Sequence, residues 1–357
     1  MISGVSGSGW YPAAGTYLLT KTPSASAPIK EHFITNSCIT NLAYNSGTKK
    51  ISFTATGNEG VAKISLDEGV GDCIWTWLIW CTDPPKTITY NAPADPNNSF
   101  TVMDRNLGAT MSSGSELTSN DDIPKLCGLY YQWGRPVPLS PDYEPRNFTA
   151  ARVSADQWTT SMEQSFKDAD RYICNSSYDM YCYLGGFGDP WRHSGLFWGN
   201  NVYDMTYWRT VANIQKTIYD PCPPGYQVAP PDFMRDFDDT ASYSQLSGDL
   251  HGIWLSGTGG SVFFPYAGRC NQNGMADRWK RGRFIGIDGG DDYNDGSWAV
   301  MWTSGSTAAS GQACWFWEIA YRNDGRGSYG GTRSNTDIND GNMKGAYAAS
   351  VRCVVDH

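Results

Sequence analysis

Ser297-Trp-Ala-Val-Met-Trp-Thr303, Cys314-Trp-Phe-Trp-Glu-Ile-Ala-Tyr-Arg322 and Ala348-Ala-Ser-Val-Arg-Cys-Val-Val355 are the apolar and aromatic runs that close this chain. Each is bounded by Gly, Asp, Asn, Ser, Tyr and Arg, and short apolar runs between such turn residues read as strands. On an extended backbone Trp315, Trp317, Ile319 and Tyr321 share one face, and Cys314, Phe316 and Ala320 share the other. Both faces are apolar, so this middle strand is expected inside a sheet. The flanks, Asp288–Gly296 and Asn323–Gly341, are too polar to bury, yet they carry Tyr and Arg, which make adaptable contact surfaces. The pattern predicts a rigid scaffold that presents a polar-aromatic face.

The chain has 357 residues and 40% hydrophobic content, enough for two domains with real cores. With 15 Trp, 39 Gly and 19 Pro it suits a β-dominated or loop-rich protein better than a helical one. A net charge of −9 argues against a nucleic-acid or anionic-membrane footprint, because phosphates are held by clustered Lys and Arg. The one dense basic stretch, Arg278-Trp-Lys-Arg-Gly-Arg283, reads as an exposed edge or loop. No window reaches the ~20 apolar residues that span a bilayer. Met1-Ile-Ser-Gly4 lacks the basic start and apolar core of a signal peptide, as expected of a mature or trimmed chain. The 10 Cys are spread without a Cys-x-x-Cys pair, which disfavours a zinc ribbon and fits scattered disulfides or buried thiols in a secreted protein.

Residues 1–92 read as a small all-β, sandwich-like module, with strands at Gly15–Thr20, Lys50–Thr56 and Val61–Leu66. Cys73-Ile-Trp-Thr-Trp-Leu-Ile-Trp-Cys81 closes it. Its two cysteines share a face but lie about 26 Å apart at ~3.3 Å per residue, so each needs a partner elsewhere, with Cys38 and Cys127 as candidates. A Pro/Asn-rich link leads to a second domain, 93–357. There Ser154–Ile173 is the best helix candidate, with Ser154 as its cap, and a further helix start is expected at Asp232-Phe-Met234. Residues 174–215 read as a long ordered loop that Cys174 and Cys182 could clasp, and Val262–Arg269 as a strand feeding the terminal sheet.

Five strings recur in one order: Val102-Met-Asp-Arg-Asn-Leu-Gly-Ala109, Gly128-Leu-Tyr-Tyr-Gln-Trp-Gly-Arg135, Tyr219-Asp-Pro-Cys-Pro-Pro-Gly-Tyr226, Phe264-Pro-Tyr-Ala-Gly-Arg269 and Ser350-Val-Arg-Cys-Val354. Together they resemble the Fibrobacter succinogenes major paralogous domain family, and Ile74–Asp83 resembles the strand that often precedes this domain in surface proteins of anaerobic gut bacteria. The resemblance implies an α+β, C-type-lectin-like domain with long loops, whose terminal strand returns beside its beginning. It also implies a secreted or surface-displayed binding protein, extracellular or at an outer membrane or pilus tip, and it points to a bond between Cys222 and Cys353. The mixture of residue types after Tyr321 is further similar to the variable region of C-type-lectin-like proteins diversified by retroelements.

Candidate contact residues come from the polar flanks: Asp291, Asp292, Tyr293, Asn294 and Asp295 before the middle run, then Tyr321, Arg322, Asn323, Asp324, Arg326, Tyr329, Arg333, Asn335 and Asn339 after it. Trp298, Trp302, Trp315 and Trp317 are assigned to scaffold, since strand Trp mostly buries its large area. Enzyme signals are poor: the 4 His lack metal-binding spacing, and Gly325-Arg-Gly-Ser-Tyr-Gly330 is not followed by a phosphate-binding helix start. The acidic cluster Asp288–Asp295 does not follow the EF-hand order and reads as a solvated loop, so neither metal nor cofactor is expected. The expected function is adhesin-like recognition of a protein or glycan on a host or bacterial surface, with pilus subunits as further partners. A phage receptor-binding protein, a structural pilus subunit and a formylglycine-generating type of enzyme are the alternatives; the last requires free Cys314 and Cys353.

Overall fold

The computed structural model describes residues 29–48, 50–67, 73–91, 99–139, 150–153, 172–175, 198, 216, 220–230, 233, 246–249, 252–257, 260–270, 298–307, 313–320, 329–333 and 348–356. The chain begins with β1 (Ile29–Ile34), β2 (Ile39–Asn45), β3 (Lys50–Ala55), β4 (Gly60–Asp67) and β5 (Cys73–Cys81). Next come β6 (Thr87–Asn91), β7 (Ser99–Met103), the short helix α1 (Ile123–Cys127), β8 (Tyr130–Gln132), β9 (Ala150–Val153) and β10 (Tyr172–Asn175). The rest is strand: β11 (Tyr226–Val228), β12 (Leu246–Asp249), β13 (Gly252–Gly257), β14 (Gly260–Pro265), β15 (Arg269–Cys270) and β16 (Trp298–Thr307). It ends with β17 (Ala313–Ala320), β18 (Tyr329–Arg333), β19 (Ala348–Val351) and β20 (Cys353–Val355).

The expected α+β class is overturned. Among the described residues 53% lie in strands and 8% in helical turns, and α1 is the one α-helix. The helix expected over Ser154–Ile173 fails where it can be followed, because Tyr172–Asn175 is β10 and pairs in parallel with β9. Tyr172 and Ile173 are aromatic and β-branched, types that favour a pleated surface over a helix; residues 154–171 lie outside the described set. Phe233 sits in a turn whose amide donates to the Pro230 carbonyl at 3.1 Å, and the remainder of the expected 232–234 helix start is also outside. So are Gly15–Thr20, Arg278–Arg283, Cys182 and all of the 174–215 stretch except Cys174, Asn175 and Trp198.

In the N-terminal part, β1, β4 and β5 form an antiparallel sheet beside the β2–β3 hairpin. Cys38, Ile39, Ala62, Ile64 and Ile79 bury between them, with Ile51, Phe53 and Trp77 packed around. Polar contacts, one of them buried, join this sheet to the segment 104–138. Lys63 Nζ donates to the Pro138 carbonyl at 2.9 Å, and Trp80 Nε1 to that of Ala109 at 3.0 Å. Arg105 joins in, its guanidinium donating to Asp104 at 2.9 Å and to Asp83 at 2.7 Å.

Beyond this, β11, β20, β7 and β6 make one sheet, β12–β14 a second, and β15, β19, β16, β17 and β18 a third, with β8 also paired to β19. The terminal run links two of them. β19 runs parallel to β16 (Met301 opposite Ser350), whereas β20, one residue later, pairs with β7 (Val354 opposite Val102) and with β11. Between β19 and β20 stands Arg352, fully buried. Its Nε donates to Asn106 Oδ1 at 2.9 Å, one Nη to the Met103 carbonyl at 3.0 Å and the other to the Phe263 carbonyl at 2.7 Å. The guanidinium also lies 4.6 Å from the centre of the Phe264 ring. Burial lowers its pKa to about 9, against the pull of Asp104, so it stays charged at neutral pH.

The strings that carry the family resemblance thus meet around Arg352. Asn106 Nδ2 donates to the Cys127 carbonyl at 3.1 Å, and Leu107 pairs through its backbone with both Val351 and Leu129. Gly128 has φ 74°, and a Cβ there would meet the Leu107 carbonyl at 2.6 Å, so only glycine allows that crossing. Cys353 is bonded to Cys222 across 131 residues, the pairing that the resemblance implies. Asp220, in the same turn as Cys222, accepts from the amides of Cys222 at 2.8 Å and Val228 at 2.9 Å, and Lys216 Nζ reaches it at 2.8 Å.

Urea unfolding monitored by Trp fluorescence checks both anchors. Arg352→Ala leaves the Met103 and Phe263 carbonyls and Asn106 buried without their donor, and is expected to cost about 3–5 kcal/mol; Arg352→Lys, which keeps charge but not the planar fork, recovers only part. Replacing Cys222 and Cys353 together by Ala is expected to cost roughly 2–5 kcal/mol through the freed loop. A loss under about 1 kcal/mol in either case, the net worth of a single ordinary hydrogen bond, contradicts the assigned role.

Candidate ligand-binding face

Of the candidate contact residues, Tyr329 and Arg333 lie in β18; in sequence the others precede β16 or follow β17 or β18. β17 lies between the other two, as its two apolar faces predict. The register is continuous across the three strands: Trp298 is opposite Ala320, and Ala320 opposite Tyr329. One end of this ribbon is therefore where the chain arrives from residues 291–297 and where the 321–328 connection leaves and returns. Trp302, Phe316 and Arg333 mark the other direction. Tyr329 and Arg333, first and last residues of β18, are separated by roughly 13 Å at ~3.3 Å per residue. The sequence groups them on one face, but the chain continues toward Asn335 and Asn339 from the end opposite Tyr329. Asp291, Asp292, Tyr293, Asn294, Asp295, Tyr321, Arg322, Asn323, Asp324, Arg326, Asn335 and Asn339 lie outside the described residues, as does the rest of the Asp288–Asp295 cluster.

The support beneath this ribbon can be built from the residues upward. Ala299 and Met301 of β16 pack into the cluster of Phe100, Val102, Phe264 and Val354. Trp302 is fully buried and donates its indole N–H to the Tyr131 carbonyl at 2.8 Å. Trp133 reciprocates, donating to the Thr303 carbonyl at 2.9 Å, and its ring lies 5.9 Å from that of Trp198. The Ser304 amide donates to the Ala229 carbonyl at 3.0 Å, and Ala229 in turn bonds to the Arg352 carbonyl. β16 is thus held by β8, by β19 and by the segment after β11. The scaffold assignment of Trp302 agrees with its burial; the paired indole bonds with Trp133 had no signal in the sequence, because the two tryptophans are far apart in the chain.

Two sets of titratable groups among the described residues are held in polar contacts. Burial raises Asp220 and lowers Lys216, while each opposes the other's shift, and Lys216 also donates to the Cys222 and Tyr226 carbonyls at 2.8 and 2.6 Å. His32, isolated in the sequence, contacts Ser65 Oγ through Nε2 at 2.7 Å, and Ser65 donates to Asp67 at 2.7 Å. That order places the hydroxyl between imidazole and carboxylate. A nucleophilic triad needs the imidazole in the middle to take the hydroxyl proton, so this row is structural. Among the described residues no group of three or more His, Cys, Asp or Glu is placed to hold a metal ion, and no helix is long and apolar enough to cross a membrane. Comparison of the chain with protein-family models, with curated proteins and with solved structures finds no match.

Trp302→Phe keeps an aromatic ring but removes the N–H that satisfies the buried Tyr131 carbonyl, and is expected to cost about 1–3 kcal/mol in urea unfolding; no change would show the indole bond to be idle.

Proposed function

We propose that this chain is a secreted or cell-surface ligand-binding protein of adhesin type, recognising a protein or glycan on a host or bacterial surface through its C-terminal connections. The observation that carries this reading is the alignment of Trp298, Ala320 and Tyr329 at one end of a ribbon whose β16 strand is bonded into the core on several sides. Polar and aromatic side chains on a fixed frame form contacts with little ordering cost, which is how exchangeable binding surfaces work. The convergence of five spaced strings on Arg352 supports the resemblance to the major paralogous domain family, and with it a diversified face. Cys353 is bonded to Cys222, which weighs against the formylglycine-generating alternative, since that chemistry needs the thiol free.

The test exchanges Tyr321, Arg322, Asn323 and Asp324 for Ala and screens both proteins on an immobilised glycan array and on whole bacterial and epithelial cells. Binding by the parent chain should fall at least about tenfold in the variant, while the melting temperature stays within a few degrees. Retained binding in the variant, or no binding by the parent to any of these surfaces, sinks the reading. Comparison of closely related gene copies adds a second readout: substitutions are expected to concentrate between Asp288 and Asp340 and to spare Trp315, Trp317 and Val351-Arg-Cys353.

A further inference from the structure

The N-terminal sheet contains a cysteine pair whose placement depends on one glycine. Cys38 precedes β2, in a turn where Asn36 and Ser37 take positive φ of 51° and 48°. Its amide donates to the Thr35 carbonyl and its carbonyl accepts from the Thr56 amide, both at 3.1 Å, so its backbone is pinned on both sides. Cys81 ends β5 directly opposite Gly60 of β4. A Cβ on Gly60 would stand 3.1 Å from the Cys38 Cβ and 2.5 Å from the Thr35 carbonyl. Glycine therefore lets the Cys38 turn rest directly against the β4–β5 pair, on the side toward which a residue facing Cys81 would project. Cys81 Sγ lies 3.8 Å from the Cys38 carbonyl, and both side chains belong to the same small core.

We propose that Cys38 and Cys81 form a disulfide site, a second covalent closure that ties the turn before β2 to the end of β5. Both are thiols in this structure. They differ in access: Cys38 is fully buried, whereas Cys81 is partly exposed. Burial, reinforced by neighbouring Cys81, pushes the Cys38 thiol up to about 12. These differences fix the order of events with a small disulfide such as oxidised glutathione as the oxidant. The Cys81 thiolate attacks one sulfur of the oxidant, giving a mixed disulfide and releasing one small thiol. Cys38 then gives up its proton to the medium, and its sulfur displaces the second small thiol from Cys81. Two protein thiols are oxidised and one small disulfide is reduced to two thiols. Cys73 is not the partner, because it stands at the far end of β5, 3.1 Å from Thr76 Oγ1.

The closure rests on sheet geometry and is independent of the ligand reading. Its test incubates the full chain with oxidised glutathione, alkylates remaining thiols with N-ethylmaleimide, and maps unreduced peptides by mass spectrometry. A linked peptide pair holding Cys38 and Cys81, with loss of alkylation at both, is expected, together with a rise of several degrees in melting temperature. Two variants read the order of steps. Cys38→Ser should trap glutathione on Cys81, whereas Cys81→Ser should leave Cys38 unmodified in the folded protein. Full alkylation of both cysteines after oxidation of the parent chain, or linkage of Cys81 to any other cysteine, overturns the proposal without bearing on ligand binding.

Discussion

The guanidinium of Arg352 is the contact on which the remaining architecture depends. The chain leaves one sheet at Val351 and enters another at Cys353, and the residue between keeps a backbone bond to the second, its carbonyl accepting from the Ala229 amide. Its side chain answers three acceptors drawn from separate parts of the chain, near β7 and in β14. Such a cation is expensive to bury, and the cost is offset only because each donor direction finds a fixed oxygen and one face finds the Phe264 ring. On either side the neighbours add directional bonds of their own. Val351 accepts from Leu107, and Cys353 carries the disulfide to Cys222.

This arrangement separates what must stay from what can change. β16 belongs to the core through Ala299, Met301 and Trp302, and reaches it again through the chain of bonds from Ser304 to Ala229 to Arg352. β17 and β18 are laid outward from it, with β18 at the end of that sheet among the described strands. Among the described residues, Arg352 meets Asn106, Met103, Phe263 and Phe264, none of which belongs to β17 or β18. A protein that keeps its fold while altering its contact residues requires such insulation.

Much of the strand content was legible. The runs over Lys50–Thr56, Val61–Leu66 and Cys73–Cys81 and the three terminal runs appear as strands where they are described, and the Trp- and Gly-rich composition pointed to β structure. The Val262–Arg269 run is a strand only to Pro265 and pairs with β13, and Arg269 alone enters the terminal sheet, in β15. The α+β expectation came instead from the resemblance and from a capped run at Ser154–Ile173, and the strand at Tyr172–Asn175 shows how a plausible cap yields to β-favouring residues with a partner. Arg352 could not have been assigned from its own string: Ser350-Val-Arg-Cys-Val354 reads as one strand broken by a charge, and its acceptors lie far away in the chain. The Cys222–Cys353 bond likewise had no spacing rule behind it and came from the resemblance alone. Of the candidate site, the alternation around Trp315 and Trp317 placed the ribbon correctly inside its sheet. The separation of Tyr329 from Arg333 follows only once both lie in one strand, β18, which the polar flank over Asn323–Gly341 did not signal.

Native-state hydrogen exchange tests the central claim most directly. The amides of Leu107, Ala229 and Ser304 all sit in the bonds that radiate from the Val351–Cys353 crossing. They are expected to exchange together, only through global unfolding, and to keep that protection when the 321–324 side chains are removed. Exchange of Ser304 through a separate, lower-energy opening, or loss of protection at Leu107 when the connection is altered, would contradict a binding ribbon insulated from and anchored by the buried arginine.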